Sequence, residues 1–381
     1  MKLLFAPLFS WQLACLVALA AQIPSAVAAS SDGVTYTNFT KKGPVEIHVI
    51  RIPRKATGLE IQSIHSAGKP VGLAPVTEQL KTVEGTALAA INGDFYQREG
   101  AFAGDPRGLQ IVDGDLVSAP MNSSSFWIDA AGEPHMANTQ SGLRITWPDG
   151  STAAIGLNGR CDPTEIELYT PSLGAVPRGN SGREIVLHPL GGETNGFRPA
   201  KEYSMRALEI RGATNAPIAP GTYLLALGGA AAKTAPKLEK GAIVKISTVT
   251  TPNLRGVRTA ISGGPILVNA RKARRFDKPE GDSHQYTSMM EKHPRSAIGW
   301  NANEYVWVEV DGRHQSSVGM TLGELGTLMV ELGCDEAMNL DGGGSATLWY
   351  DGKVRNRPCD GFERPVANSL VLVRRAQAAT K

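Results

Sequence analysis

Cysteine is scarce in this 381-residue chain: Cys15, Cys161, Cys334 and Cys359, with no CxxC pair among them. That pattern argues against a structural zinc site, which needs clustered thiolates. Aromatic residues make up only 6% of the chain, too few to suggest a broad stacking face for glycans. No basic run has nucleic-acid character. The densest group is Arg271-Lys272 with Arg274-Arg275, and the formal net charge is only +3, so no nucleic-acid partner is expected. There are 7 histidines, none in a metal-ligand spacing. Beyond the N-terminus no apolar run is long enough to cross a bilayer. At 42% hydrophobic and 20% charged residues, the composition is that of a globular protein, with core enough for one large domain or two ordinary ones.

The compact apolar stretch Leu13 to Ala21 follows Lys2 and stops at Gln22-Ile23-Pro24. Ala26-Val27-Ala28 has the small-x-small form of a cleavage site. Residues 1–28 therefore read as a secretory signal and 29–381 as the mature chain, periplasmic or secreted, with no membrane partner once the signal is cut. Cys161, Cys334 and Cys359 remain, which in an oxidising compartment allows at most one internal disulfide. Cys334 and Cys359 are the better-placed pair; three unpaired thiols are the alternative.

Glycine (42) and proline (24) are abundant, which predicts many turns between short strands. Val45 to Ile52 and Leu59 to His65 alternate apolar and polar residues, as half-buried strands do. Thr77 to Val83 reads as a short helix. Thr86 to Ile91 reads as an apolar strand that delivers Asn92-Gly93-Asp94-Phe95 at its end. Asp113-Gly114 marks a hairpin within Leu109 to Val117. Residues 122–252 read as a series of short strands, either a β-rich inserted subdomain or a widening of one sheet. Arg271 to Lys292 is polar and expected to be a mobile loop. Ser296 to Trp300 and Tyr305 to Val310 read as strands. The clearest helix is Leu322 to Leu332, with a Thr321/Glu324 capping box, an apolar face of Leu322, Leu325, Met329 and Leu332, and Gly333 as its stop. Glu336 to Leu340 is a strand running into Asp341-Gly342-Gly343-Gly344-Ser345, and Asn368 to Val373 is the last. The expected fold class is α+β, large mixed β-sheets with a few helices.

The glycine block is the strongest local signal for chemistry. Three glycines after a strand let the chain turn sharply and turn N–H groups outward, a nest suited to phosphate, with Asp341 at the strand end. A glycine-rich turn with Asp341 bonded to its own loop is the competing reading. No lysine follows, so it is not a nucleotide loop of the Walker type. Arg295, at the start of a strand, offers a planar fork for phosphate, although a lone arginine is more often a surface residue. His293 suits an acid, a base or a structural donor. Asn92 and Asp94 suit sugar hydroxyls or a water, or simply a turn. Asp105 and Arg107 share a loop. Gly263 and Gly264 lie inside a single apolar run, Ala260 to Val268, and allow close backbone approach to a ligand, or a bulge. Asp311 and Arg313 read as a turn, and Glu324 is explained by its cap.

Together these segments resemble the phosphodiester glycosidase family: Ala89 to Tyr96 (AAINGDFY), Ser262 to Val268 (SGGPILV), His293 to Trp300 (HPRSAIGW), Gly319 to Tyr350 and Arg364 to Val373 (RPVANSLVLV). The resemblance runs from about Val45 to Val373, more weakly in the middle, and its most specific part is Asn-Leu-Asp-Gly-Gly-Gly-Ser after a T-x-x-E helix. It implies hydrolysis of a sugar–phosphodiester link, with Asn92, Arg295, Asp341, Gly342, Gly343, Gly344 and Ser345 lining the site. Asp94 and Ser296 depart from the family's usual residues. On this reading Arg295 and the Gly342 to Ser345 amides hold phosphate, helped by Arg107, Gly263 and Gly264. Asp341 acts as base or nucleophile, with His293 nearby. Asp94, Asp105 and Asp311 are candidate second carboxylates. The expected partner is an envelope or exopolysaccharide glycan, or a smaller sugar phosphodiester. No cofactor is expected, with a divalent metal left open. The alternatives are a metal-dependent phosphodiesterase acting at phosphorus and a non-catalytic glycan-binding module of the envelope.

Overall fold

In a computed structural model the chain is described over residues 32–66, 71–173, 181–192, 196–214, 217–276 and 288–375. The segment read as a signal, and residues 277–287 of the polar loop, lie outside them. Four sheets and one long helix organise the rest, giving the α+β architecture expected.

A seven-stranded sheet runs in the order Thr35–Lys41, Val45–Pro53, Glu304–Val310, Arg295–Trp300, Glu336–Asn339, Ile266–Asn269, Lys272–Ala273. Its central strands are apolar on both sides because both faces are covered, whereas the edge strands Thr35–Lys41 and Lys272–Ala273 are polar and partly exposed. Ile47, Val49, Ala297, Val306, Val308 and Ala337 face the helix Leu322–Glu331, which packs Leu322, Leu325, Leu328 and Met329 onto them. The alternate residues Ile50, Ile52, Ile298, Trp307 and Met338 face a second core shared with Ala89, Ile91, Leu348, Leu370 and Leu372. Those belong to a five-stranded sheet, in the order Lys353–Val354, Leu348–Tyr350, Thr86–Asn92, Asn368–Arg374, Leu59–His65.

The other two sheets hold the middle of the chain. Met121–Ile128 and Pro134–Ser141 join a six-stranded sheet with Gln110–Val112, Asp115–Ser118, Thr250–Thr251 and Thr259–Gly263. All eight strands of the last sheet come from residues 144–247, and they pack Ile145, Leu168, Leu187, Leu225 and Ile246 against Leu109, Ile111 and Trp127 of the six-stranded one. The pairings are antiparallel except Gly156–Leu157 with Ile166–Tyr169.

Three expectations change. The single apolar run Ala260 to Val268 is two strands in two different sheets, Thr259–Gly263 and Ile266–Asn269, because the chain crosses over at Gly264-Pro265. Part of the polar loop, Lys272–Ala273, is an edge strand paired with Ile266–Asn269. Cys334 and Cys359 do not pair, and all three described cysteines are free. Cys334 is buried in the core under the helix, whereas Cys359 lies in a loop beside Arg313.

The helix starts with the reciprocal cap its sequence predicts: Glu324 N–H donates to Thr321 Oγ1 at 3.2 Å, and Thr321 N–H donates to Glu324 Oε2 at 2.9 Å. Thr321→Ala should cost about 1 kcal/mol, read as a lower urea midpoint of unfolding; an unchanged midpoint would show that packing alone fixes the helix start.

Candidate active site

Two strand ends from different sheets meet at the glycine block. Thr86–Asn92 of the five-stranded sheet ends at Asn92, and Glu336–Asn339 of the seven-stranded sheet leads through Leu340 to Asp341. Asn92 is wholly buried and spends its side chain on three contacts. Its amide donates to Asp341 O at 2.7 Å, and its Oδ1 accepts from Ser296 Oγ at 2.6 Å and from Thr347 N–H at 3.0 Å. Asn92 therefore positions the loop from behind and does not line the cleft, unlike the expected contact to substrate.

The loop is not an open nest of amides. Gly342 N–H donates to Asp341 Oδ1 at 2.9 Å, Gly343 N–H to Pro294 O at 2.9 Å and Ser345 N–H to Gly342 O at 3.1 Å. Three of the four amides expected to hold phosphate are thus committed to the fold, and the competing reading of Asp341 bonded to its own loop is the one realised. The glycines have separate steric reasons. A Cβ on Gly342 would sit 2.6 Å from Pro294 O, one on Gly344 would overlap the Arg364–Asp360 ion pair, and Gly343 has φ +61°.

Arginines supply what the amides do not. The loop forms one wall of a cleft of about 500 Å³ whose lining includes Arg98, Arg107, Arg295, Arg313 and Arg364. Asp341 and Glu99 are the carboxylates in the same lining. Arg295 is 6% exposed and bonds backbone carbonyls: Nε to Met320 O at 2.9 Å, Nη2 to Ser288 O at 2.6 Å and to Glu291 O at 2.9 Å. Burial, and secondarily the Arg313 charge, lowers its pKa to about 10, so it remains a cation at neutral pH. Its place is that of a fixed charge in the wall, with much of the fork already bonded. Arg364 bonds Asp360 through Nε (2.9 Å) and Nη2 (2.6 Å). Arg107 reaches Gln97 Oε1 at 3.4 Å.

His293 lines the cleft between Arg313 Nη2, 3.3 Å from Nδ1, and Glu291 Oε2, 3.1 Å from Nε2. Burial, then the Arg295 and Arg313 charges, lowers its pKa, leaving a neutral ring that accepts from Arg313 and donates to Glu291. It orients Arg313.

Asp341 is half-buried. Burial raises its carboxyl to about 6, against the Ser345 hydroxyl, the Gly342 N–H and the Arg364 and Arg98 charges, which all favour the anion. Asp94 lies behind, 2% exposed. Its Oδ1 accepts the Phe95 N–H at 2.7 Å and its Oδ2 has no hydrogen-bond partner. Burial pushes Asp94 well above the usual carboxylate range, the Phe95 N–H opposes this, and the Asp341 charge raises it further. Burial thus pushes both carboxyls the same way, Asp341 to about 6 and Asp94 well above the ordinary carboxylate range.

The other candidates fall elsewhere. Gly263 and Gly264 are not in the cleft lining; Gly264 N–H donates to Asn339 O at 2.7 Å, and a Cβ on Gly263 would meet that same oxygen at 2.6 Å. Asp311 is buried behind the loop, where its Oδ1 accepts Arg357 N–H at 2.9 Å. Asp105 lines the continuation of the cleft. Gln97, Glu99 and Arg107 also border a second hollow of about 510 Å³, and Asp105, Pro106, Met121 and Arg160 join that hollow to a third of about 1040 Å³ against the eight-stranded sheet. Burial raises Asp105 to about 7, and lifts neighbouring Glu167 well above the ordinary range. Arg98 and Arg364 went unread in the sequence although they stand beside quoted blocks, two residues past Tyr96 and at the head of RPVANSLVLV.

This is a carboxylate set among guanidiniums at the ends of antiparallel strands. Residues 201–373 match the family model described as phosphodiester glycosidase, and the resemblance read from the motifs is thereby shown over the C-terminal part of the chain. A SPbeta prophage-derived protein of Bacillus subtilis, YomE, is 34% identical over 119 residues, which are 31% of this chain and 18% of that protein. A hypothetical protein from Synechocystis has the same fold at a TM-score of 0.69 and 22% identity, covering 90% of this chain and 62% of that one. A Burkholderia pseudomallei protein named as a candidate exported protein gives 0.68 and 23% over 87% of this chain and 74% of its own. This chain therefore spans less than two thirds of the Bacillus protein and of the Synechocystis structure.

Two glycine variants separate backbone from side-chain crowding. Gly342→Ala drives a Cβ into the Pro294 carbonyl and should destabilise by roughly 1–3 kcal/mol, whereas Gly344→Ala meets the movable end of Arg364 and should cost less. Thermal unfolding of both checks the order; equal midpoints would contradict the packing described.

Proposed function

We propose that this chain is an exported hydrolase that removes a sugar from a glycosyl-1-phosphodiester by breaking the anomeric C–O bond, acting on envelope or exopolysaccharide glycans. The observation that carries this reading is Asp341, ionising near neutrality inside a lining of five arginines. A phosphodiester brings one negative charge before cleavage, and the departing phosphate monoester brings more. Fixed guanidiniums bind that developing charge more strongly than the ground state, which is the condition for catalysis. Either Asp341 takes a proton from a water whose oxygen pair attacks C1, or Asp341 attacks C1 itself and a water then attacks C1 to free the sugar and restore the carboxylate; in both routes the C1–O pair leaves on the phosphate. The leaving group is stable enough to need little protonation. Burial favours the neutral form of Asp94 behind Asp341, which lessens the like charge beside it.

The three joined hollows support a glycan over a small sugar phosphodiester, since they offer room well beyond one sugar and one phosphate. The polar walls at Asp105, Arg160 and Glu167 suit hydroxyl groups. Export rests on the residue pattern of the N-terminal segment; among the described residues no helix is long and apolar enough to cross a membrane.

Asp341→Asn should lower kcat/KM for a sugar-1-phosphodiester by at least about a thousandfold with unchanged circular dichroism. The active form is the ionised carboxylate, so the wild-type kcat/KM should be low in acid and rise as pH passes about 6. Near-normal turnover by the variant, or a rate that falls through that range, would sink the assignment.

A further inference from the structure

A second polar group lies apart from the cleft, inside the core between the seven- and five-stranded sheets. Period-two alternation places His48 on the same face of its strand as Ile50 and Ile52, and Glu309 on the same face as Trp307. His48 and Glu309 are direct cross-strand partners, and Asp311 follows one residue past the strand end. The three side chains are nearly sealed, at 6%, 0% and 2% exposure. An imidazole and two carboxyls in such a core are expensive unless something compensates them.

Their own hydrogen bonds do not. His48 Nε2 and both oxygens of Glu309 have no hydrogen-bond partner. The outward atoms, by contrast, are occupied: His48 Nδ1 bonds the Tyr36 hydroxyl at 2.8 Å, and Asp311 Oδ1 accepts the Arg357 N–H. Each outer partner fixes the orientation of its residue and leaves the other atom turned inward, as partners behind metal ligands do. One donor atom from each residue lies within 4.8 Å of the other two, and His48 Nε2 is 3.5 Å from Asp311 Oδ2. That separation is long for a hydrogen bond, yet close to the edge, about 3.3 Å, of a tetrahedron with ligand bonds of about 2.0 Å.

We propose that His48, Glu309 and Asp311 hold a divalent cation of the zinc or manganese class in the core behind the glycine loop. Two carboxylates and a neutral imidazole carry a charge of −2, which such an ion balances, and the imidazole favours these metals over calcium or magnesium. Neither Glu309 oxygen is committed to a hydrogen bond. The ion is structural: Asp311 leads directly into the turn that carries Arg313 to the cleft wall, and it also holds Arg357. The competing arrangement is a shared proton in place of the ion, since burial and the Asp311 charge push the Glu309 carboxyl well above its ordinary range, with only the nearby Asn356 amide, whose hydrogen bond goes to Ala346 O, acting against it. The inference does not depend on the hydrolase reading.

The test is to unfold the full chain with chelator, refold it with and without Zn²⁺, Mn²⁺ or Ca²⁺, and measure bound metal and Tm. About one equivalent of Zn²⁺ or Mn²⁺ should be retained after desalting and should raise Tm, with Ca²⁺ far less effective. X-ray absorption of the zinc form should show a nitrogen/oxygen shell with one imidazole. Glu309→Gln should refold, retain no ion and show no metal-dependent rise. The proposal is overturned if the wild type retains no metal and its Tm does not respond. A sulfur-containing shell, placing the ion on a cysteine, or Glu309→Gln binding as well as the wild type, would overturn it too. If Glu309→Gln does not refold, wild-type stoichiometry and ligand shell decide alone.

Discussion

One buried amide, that of Asn92, fastens two sheets together at the point where the cleft forms. It gives its hydrogen to the Asp341 carbonyl and takes hydrogens from Ser296 and Thr347. Ser296 and Asp341 belong to the seven-stranded side and Asn92 to the five-stranded one, so these bonds, together with the backbone bond from Asp341 N–H to Gly93 O at 3.0 Å, set the distance between the two strand ends. A side chain with one donor group and one acceptor oxygen, filled on both, defines a separation that apolar packing alone leaves loose. The turn through Gly342 and Gly343, and the direction in which Asp341 leaves its strand, follow from that tie.

The electrostatics of the cleft follow in turn. With the loop amides committed inward, positive charge at the cleft comes from side chains, and these arrive from separate loops: Arg98 and Arg107 after Asn92, Arg295 and Arg313 around the central strands, and Arg364 before the last strand. Three of them are held differently, Arg295 by carbonyls, Arg364 by Asp360 and Arg313 by His293. A cleft of fixed charges needs little reorganisation when an anion forms in it.

What the sequence could show depended on range. Strand and helix positions were legible where a local pattern sufficed: Leu59–His65 has the expected bounds, and the T-x-x-E cap forms both of its bonds. The Asp113-Gly114 turn joins its two strands as expected, with both residues at positive φ. The strand Thr35–Lys41 and the division of Ala260 to Val268 between two sheets were not legible, because both are decided by partners distant in sequence. Among site residues, Asp341 could be picked out because a strand running into three glycines is a local signal. The role of Asn92 could not, since an Asn-Gly pair looks like a turn until Ser296 and Thr347 are brought against it. The arginine lining was read only in part: Arg295 and Arg107 were named for phosphate, Arg313 read as a turn, and Arg98 and Arg364 went unread, because separate arginines look like surface residues in one dimension. The amide nest failed as an expectation because a glycine run announces a tight backbone, and only the surrounding chain decides which N–H groups remain open.

The central claim is that bond breaking occurs at the sugar carbon, with Asp341 supplying the electrons and the arginines receiving phosphate. Hydrolysis of a sugar-1-phosphodiester in ¹⁸O-labelled water, followed by mass spectrometry of both products, tests it most directly. The account predicts label in the released sugar and none in the phosphate; label in the phosphate would place the attack at phosphorus and contradict it.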